Sequence, residues 1–197
     1  MQPLPYADSG AKVVFVALIA IWVAGELRAH VRSQGNQRGA TEEWGSLVGV
    51  VVTIYVGMIG GFLAASKVES AAIDFARRPI FILGALLMAG GIAFRQWAIA
   101  VLGAYFTVDV RVSAGQSVVE SGPYARVAHP AYTGMVLVFV GLGLMLGNWL
   151  SLAVLTLVPA IGLVVRIRVE ERAMLAGIGE PYRRFLAGRA RLVPGLW

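Results

Sequence analysis

Apolar residues fall in long blocks, and the polar residues between them come in short clusters. The first block is Lys12 to Leu27, ending at Glu26 and followed by the polar stretch RAHVRSQGNQRGATEE, in which Gly35, Asn36 and Gly39 are turn formers. The second runs from Trp44 to Ser66 and contains Gly57, Gly60 and Gly61, small residues that allow close helix contact. Lys67 to Arg78 is amphipathic and is expected to form a short surface helix. Pro79 suits the first turn of the next helix. That helix is expected to run from Pro79 towards Phe106 as one tilted span with an extension, because each half alone is too short to cross a bilayer. Arg95 then belongs on its protein-facing side. Residues 107–127 are polar and glycine-containing, and read as an ordered loop. A fourth block covers Pro130 to Leu146. After the turn LGNWL, a fifth starts at Trp149. Its apolar pattern reaches Val165 and its helical pattern continues through RIRVEERAMLAG to Gly177 and Gly179.

These blocks predict an all-α integral membrane protein with about five transmembrane helices, a single domain over residues 1–197. Residues 1–106 supply three spans. Residues 107–197 supply a loop, a helix hairpin and a basic, aromatic tail. Composition agrees: 58% of residues are hydrophobic and only 14% charged, against about a quarter charged in soluble domains. The absence of cysteine excludes disulfides, zinc–thiolate sites and a cysteine nucleophile. No cleavable signal is expected, since the first block lacks a basic leader and a small-residue cleavage site.

Charge placement sets the expected orientation. With five crossings, thirteen of the 17 Lys and Arg residues fall on one side, leaving Lys12, Lys67, Arg77 and Arg78 on the other. The positive-inside rule puts the amino terminus outside and the carboxy terminus in the cytoplasm. The net charge of +6 is then a matter of membrane lipids rather than nucleic acid, and no nucleic-acid partner is expected.

Several groups could carry chemistry. His129-Pro130 holds a histidine just outside a helix, since proline disfavours helical geometry in the residue before it. Helix N-termini attract anions such as a carboxylate. Arg166 and Glu170 are four apart and share a helical face. Arg166 would lie at the hydrocarbon boundary, where an ionisable group needs a partner or a task. Each has an ordinary alternative: an interfacial histidine, and a solvated helix of alternating charges. Glu26 is expected to pair with Arg28 or water. Asp109 and Glu120 read as loop acids, and Met58, Met88, Met135, Met145 and Met174 as packing. No G-x-G-x-x-G follows a strand, so a Rossmann cofactor site is not supported.

Taken in order, SGPYARVAHPAYTG, the helix hairpin, RIRVEERAML and GEPYRRFLAGRARLVP resemble the isoprenylcysteine carboxyl methyltransferase and phospholipid methyltransferase superfamily over residues 107–194. The resemblance implies a membrane enzyme using S-adenosyl-L-methionine in a pocket closed by the loop and tail. Carried over, Gln116, Ser117, Val118, Val119 and Tyr124 would line the cofactor. His129, Pro130, Ala131 and Tyr132 would contact it at the helix start, and Glu170 would accept from its amino group. Arg166 would face the substrate's anionic group, so that Arg166 and His129 are the catalytic candidates. If the nucleophile were an amine, His129 or Glu171 would be the candidate base. The superfamily's usual Arg-His-Pro is Ala128-His129-Pro130 here, so a charge is lost or comes from Arg126. The implied partners are membrane lipids and a lipophilic or lipid-modified acceptor: a prenylated cysteine carboxylate, a phospholipid amine, or a small sulfur or oxygen nucleophile. Sterol-reductase-like nicotinamide enzymes look similar in this region, and a non-catalytic membrane protein is a third reading. The sequence leaves the oligomeric state open.

Overall fold

The computed structural model describes residues 3–35, 45–112, 116–195 and 197. Among them the architecture is helical: α1 Leu4–Ala7, α2 Ser9–Gly35, α3 Gly45–Lys67, α4 Arg77–Leu102, α5 Pro130–Leu146, α6 Trp149–Gly177 and α7 Glu180–Ala187. Four of these, α2, α3, α4 and α6, are long and apolar enough to cross a bilayer, and α5 is a shorter apolar helix of 17 residues. The expected all-α membrane fold is therefore present, with the expected limits for the fourth span.

The differences lie in the polar connections. The first span does not end at Leu27 but continues as α2 to Gly35. Its polar residues have protein partners: Arg28 donates to Gln96 Oε1 at 2.7 Å, and the Ser33 hydroxyl accepts the Val108 amide at 2.7 Å. Asn36, Gly39 and Trp44 lie outside the described residues. The expected surface helix over Lys67 to Arg78 is instead one 3₁₀ turn, Glu69–Ala71, followed by extended chain. There Ala72 bridges to Asn148, and the Ile73 amide bonds the Gly147 carbonyl at 2.8 Å. The third span is one long helix, with a 3₁₀ turn Gly103–Tyr105 as its extension. The tail contains a helix that its basic composition did not announce. Gly179, at φ 77°, turns the chain after α6, and Pro181 enters the first turn of α7.

Helices α4 and α5 meet backbone to backbone. A Cβ on Gly84 would lie 2.7 Å from the Gly141 carbonyl, and one on Gly91 would lie 2.7 Å from the Gly134 carbonyl. Side chains at these crossings would push the helices apart, as in other small-residue membrane contacts. Gly57 and Gly61 act as expected, receiving Pro159 and Leu155 of α6. Between these pairs, Met88, Val138, Phe139, Leu142, Leu155 and Leu163 form a core that is fully or almost fully buried.

Helix α2 is held differently. Near its start Phe15 packs edge-on against Phe62 of α3, with ring centroids 6.2 Å apart. Further along, Arg95 of α4 grips Glu26 through Nε and Nη2, at 2.6 and 2.7 Å. Glu26 thus pairs with Arg95 and not with Arg28, because α2 lies beside α4 at that depth. Arg95 Nη1 donates to the Ala131 carbonyl at 3.1 Å, joining α2, α4 and the start of α5.

Two stability predictions follow from this packing. Gly141→Ala would place a Cβ 2.5 Å from the Met88 amide nitrogen. It should lower stability in detergent by about 1–3 kcal/mol, whereas Gly90→Ala, which meets nothing within 4 Å, should not. Glu26→Ala should cost about 3 kcal/mol by stranding a largely buried guanidinium, and adding Arg95→Met should recover part of the loss. Thermal unfolding of the purified variants checks both.

Candidate active site

The residues nominated from the sequence converge where the N-terminus of α5 meets the C-terminal half of α6. His129 caps α5 in non-helical geometry, φ −124° and ψ 60°, and Pro130 takes the first helical position. The imidazole stacks on Tyr132 at 5.8 Å between centroids. Its Nε2 lies 3.2 Å from Glu171 Oε1, and its Nδ1 lies 4.0 Å from Glu170 Oε1. The Tyr132 hydroxyl donates to Glu170 Oε2 at 2.7 Å. One turn earlier on α6, Arg166 is 4% exposed. It donates to the Ser46 hydroxyl at 2.8 Å and to the Val108 carbonyl. Both acceptors are neutral, and among the described residues no carboxylate forms an ion pair with it.

The connecting loop and the tail close this end. Val118 and Val119 pack with Tyr124, Ala128, Tyr182 and Phe185. Burial pushes the Tyr124 and Tyr182 phenols well above the ordinary tyrosine value, so both stay neutral across the physiological range. Gln116 donates towards Met174 Sδ at 3.9 Å. Beyond α7 the chain returns as a strap alongside the start of α5. Val127 pairs with Ala190 in a parallel bridge. The Ala128 and His129 amides bond the Ala190 and Arg191 carbonyls at 2.8 and 3.0 Å. The Thr133 hydroxyl donates to the Leu192 carbonyl at 2.7 Å. Arg189 pairs with Glu120 at 2.6 Å and lies over the Phe185 ring.

At this end lies a cavity of about 650 Å³. Gln116, Ser117, Val118, Val119, Tyr124, His129, Ala131, Tyr132, Arg166 and Glu170 all line it, so the structure brings together nearly every residue the sequence nominated. Pro130 does not line it. The proline is fully buried and serves to place His129. Arg126 is exposed and outside the lining, so it does not replace the charge absent at Ala128. The helix-start argument also narrows. The His129 amide is committed to the strap and Pro130 has none, leaving few amides at this end for an anion.

The cavity has a second arm, and the sequence did not identify the helices that form it. Trp22, Val23 and Leu27 of α2 face Val50, Ile54 and Tyr55 of α3 across it. It is apolar, and Val23, Leu27 and Tyr55 are exposed where a bilayer's hydrocarbon would be. Glu26 and Arg95 stand where this arm meets the polar end. An intramembrane arginine is the one signal that pointed to this junction. The meeting of α2 and α3 was not legible, because their facing side chains are as apolar as their lipid-facing ones.

Such an arrangement can hold a polar, partly charged molecule at one end and a lipophilic one at the other, with reacting groups meeting between them. Comparisons with known proteins give the chain relatives and a family. An 80-residue stretch is 32% identical to the uncharacterized protein YpbQ of Bacillus subtilis (strain 168), covering 41% of this chain and 48% of that protein. Over 192 residues the chain is 25% identical to the protein-S-isoprenylcysteine O-methyltransferase of Schizosaccharomyces pombe, covering 87% of this chain and 78% of that one. The solved structure of the eukaryotic intramembrane Ras methyltransferase, an isoprenylcysteine carboxyl methyltransferase, superimposes with a TM-score of 0.61 at 22% identity, over 74% of this chain and 52% of that one. The chain thus spans about half the length of the Bacillus relative and of that structure. The phospholipid methyltransferase family model matches residues 79–179, from the third span to the turn after the last. That match takes in α5, α6, His129, Arg166 and both glutamates, and by it the chain belongs to the phospholipid methyltransferase family.

Proposed function

We propose that the protein transfers a methyl group from S-adenosyl-L-methionine to a lipophilic, membrane-embedded acceptor with an anionic head. The observation that carries this reading is the continuity of the cavity, which joins the His129–Glu170 end to the apolar arm between α2 and α3. The volume of about 650 Å³ lies within the usual range for sites of small molecules.

The polar end fits the cofactor. Glu170 keeps an oxygen free of the Tyr132 hydroxyl and can accept from an ammonium. Tyr124 and Tyr182, buried and neutral, supply aromatic wall for an adenine. When bound, S-adenosylmethionine supplies an electrophilic methyl group on a sulfonium. What remains for the protein is alignment, which can contribute about 7–11 kcal/mol. Arg166 is a buried cation whose partners among the described residues are neutral, which suits an acceptor carboxylate. Such a head needs no base, since a carboxylate has no proton to lose. The apolar arm takes the acceptor's tail from the side, through the space between α2 and α3. The excess of basic residues around the loop and tail supports a site at the cytoplasmic face.

The test is transfer itself. Purified protein is incubated with methyl-labelled cofactor and a whole-lipid extract, and products are identified by mass. Label on a lipophilic carboxylate supports the reading. Absence of transfer, or binding of NADPH in place of S-adenosylmethionine, contradicts it. Arg166→Ala should raise acceptor KM or cut turnover by at least tenfold, as expected when a charged group in a hydrogen-bonded pair is lost. Cofactor affinity should stay within about twofold, and an equal loss of cofactor affinity would move Arg166 to the cofactor.

A further inference from the structure

The strap does more than cover the start of α5. Arg191 Nε donates to Glu171, at 2.9 Å to Oε1 and 3.3 Å to Oε2. The same Oε1 lies 3.2 Å from His129 Nε2. A carboxylate oxygen only accepts, so Nε2 carries the hydrogen, and in the neutral ring Nδ1 is a lone pair. That lone pair is 4.0 Å from Glu170 Oε1. The two atoms are too far apart to share a hydrogen bond with each other. Glu170 Oε2 is already taken by the Tyr132 hydroxyl. Two acceptors therefore face each other across a gap that a single ammonium nitrogen, with hydrogens to give to both, would bridge.

We propose that Arg191 is a positioning residue. Through Glu171 it holds His129 in the Nε2–H tautomer, and so presents the Nδ1 lone pair beside Glu170 as a two-acceptor seat for a primary ammonium. Identifying that ammonium with the amino-acid end of the cofactor rests on the function proposed above. The groups facing His129 are Glu170 and Glu171 from α6, Tyr132 from α5 and Arg191 from the strap. Glu171 sits at the centre, with its side chain 12% exposed and the His129 side chain 3% exposed. Its only cationic partner among the described residues, apart from His129 when protonated, is Arg191. The strap itself is held by backbone bonds, including His129 N–H to the Arg191 carbonyl, which do not involve the guanidinium. Removing the side chain should therefore leave the strap in place while freeing Glu171, and with it the ring.

The chain has 2 histidines, which makes the test direct. The full-length protein is prepared in detergent with ¹⁵N-labelled imidazoles, and His30→Gln assigns the signals. The wild type should show His129 in the Nε2–H form. Arg191→Gln should give a mixture of tautomers and weaken S-adenosylmethionine binding about tenfold, the usual scale for loss of an orienting partner. Arg191→Lys should restore part of both. Arg184→Gln, an exposed change on α7, should alter neither. A wild-type ring in the Nδ1–H form or protonated on both nitrogens, or an unchanged tautomer in Arg191→Gln, would overturn the proposal. A tautomer change without any S-adenosylmethionine binding by the wild type would sink the cofactor assignment and the function above, while Arg191's role would stand.

Discussion

A charged or polar side chain buried at the edge of hydrocarbon has to bring its partners with it. Three such groups, Arg95, His129 and Arg166, organise this molecule, and each is tied to elements other than its own. Arg95 joins α4 to Glu26 of α2 and to the Ala131 carbonyl of α5. Arg166 joins α6 to Ser46 of α3 and to the Val108 carbonyl of the connecting loop. His129 joins the start of α5 to Glu171 of α6, and its amide to the strap. The network that assembles the polar end of the cavity thus also ties α2 to α4 and adds to the apolar packing of α3 on α6 at Gly57 and Gly61.

The network needs α4 and α5 very close together. The Gly91–Gly134 crossing brings Arg95 beside the start of α5, so closely that a Cβ on Gly134 would lie 2.7 Å from Arg95 Cβ. With bulkier residues there, the guanidinium would not reach the Ala131 carbonyl and Glu26 together. Helices α2 and α3, by contrast, meet through Phe15 and Phe62, and residues of both line the cavity's apolar arm. A tightly packed trio of helices holds the polar groups, and a looser pair leaves room for a lipophilic guest.

Much of this was legible in the chain. Block lengths gave the spans, because about 20 apolar residues cross a bilayer as a helix. The limits of α5 followed from Pro130 and Gly147, a proline start and a left-handed glycine end. That residues between Gln116 and Glu170 would gather at one site was legible because they match a known pattern in order and spacing. Other features were hidden for identifiable reasons. The length of α2 was underestimated because its polar final turns look solvated until Ser33 and Arg28 meet their distant partners. Glu26 was assigned to a sequence neighbour, although its partner lies 69 positions away. The strap was unreadable, since its bonds to α5 are made by backbone groups that every residue carries. The role of Arg191 depends on those bonds.

On the function proposed above, one cavity receives a methyl donor at its polar end and a lipophilic acceptor through its apolar arm. The most direct measurement is an experimental structure of the protein with S-adenosylhomocysteine, the demethylated product. The account predicts its amino-acid end between His129 and Glu170, its adenine against the wall formed by Tyr124 and Tyr182, and its sulfur turned towards the junction at Arg95 and Arg166. A product bound elsewhere, or bound with its sulfur sealed off from the space between α2 and α3, would contradict it.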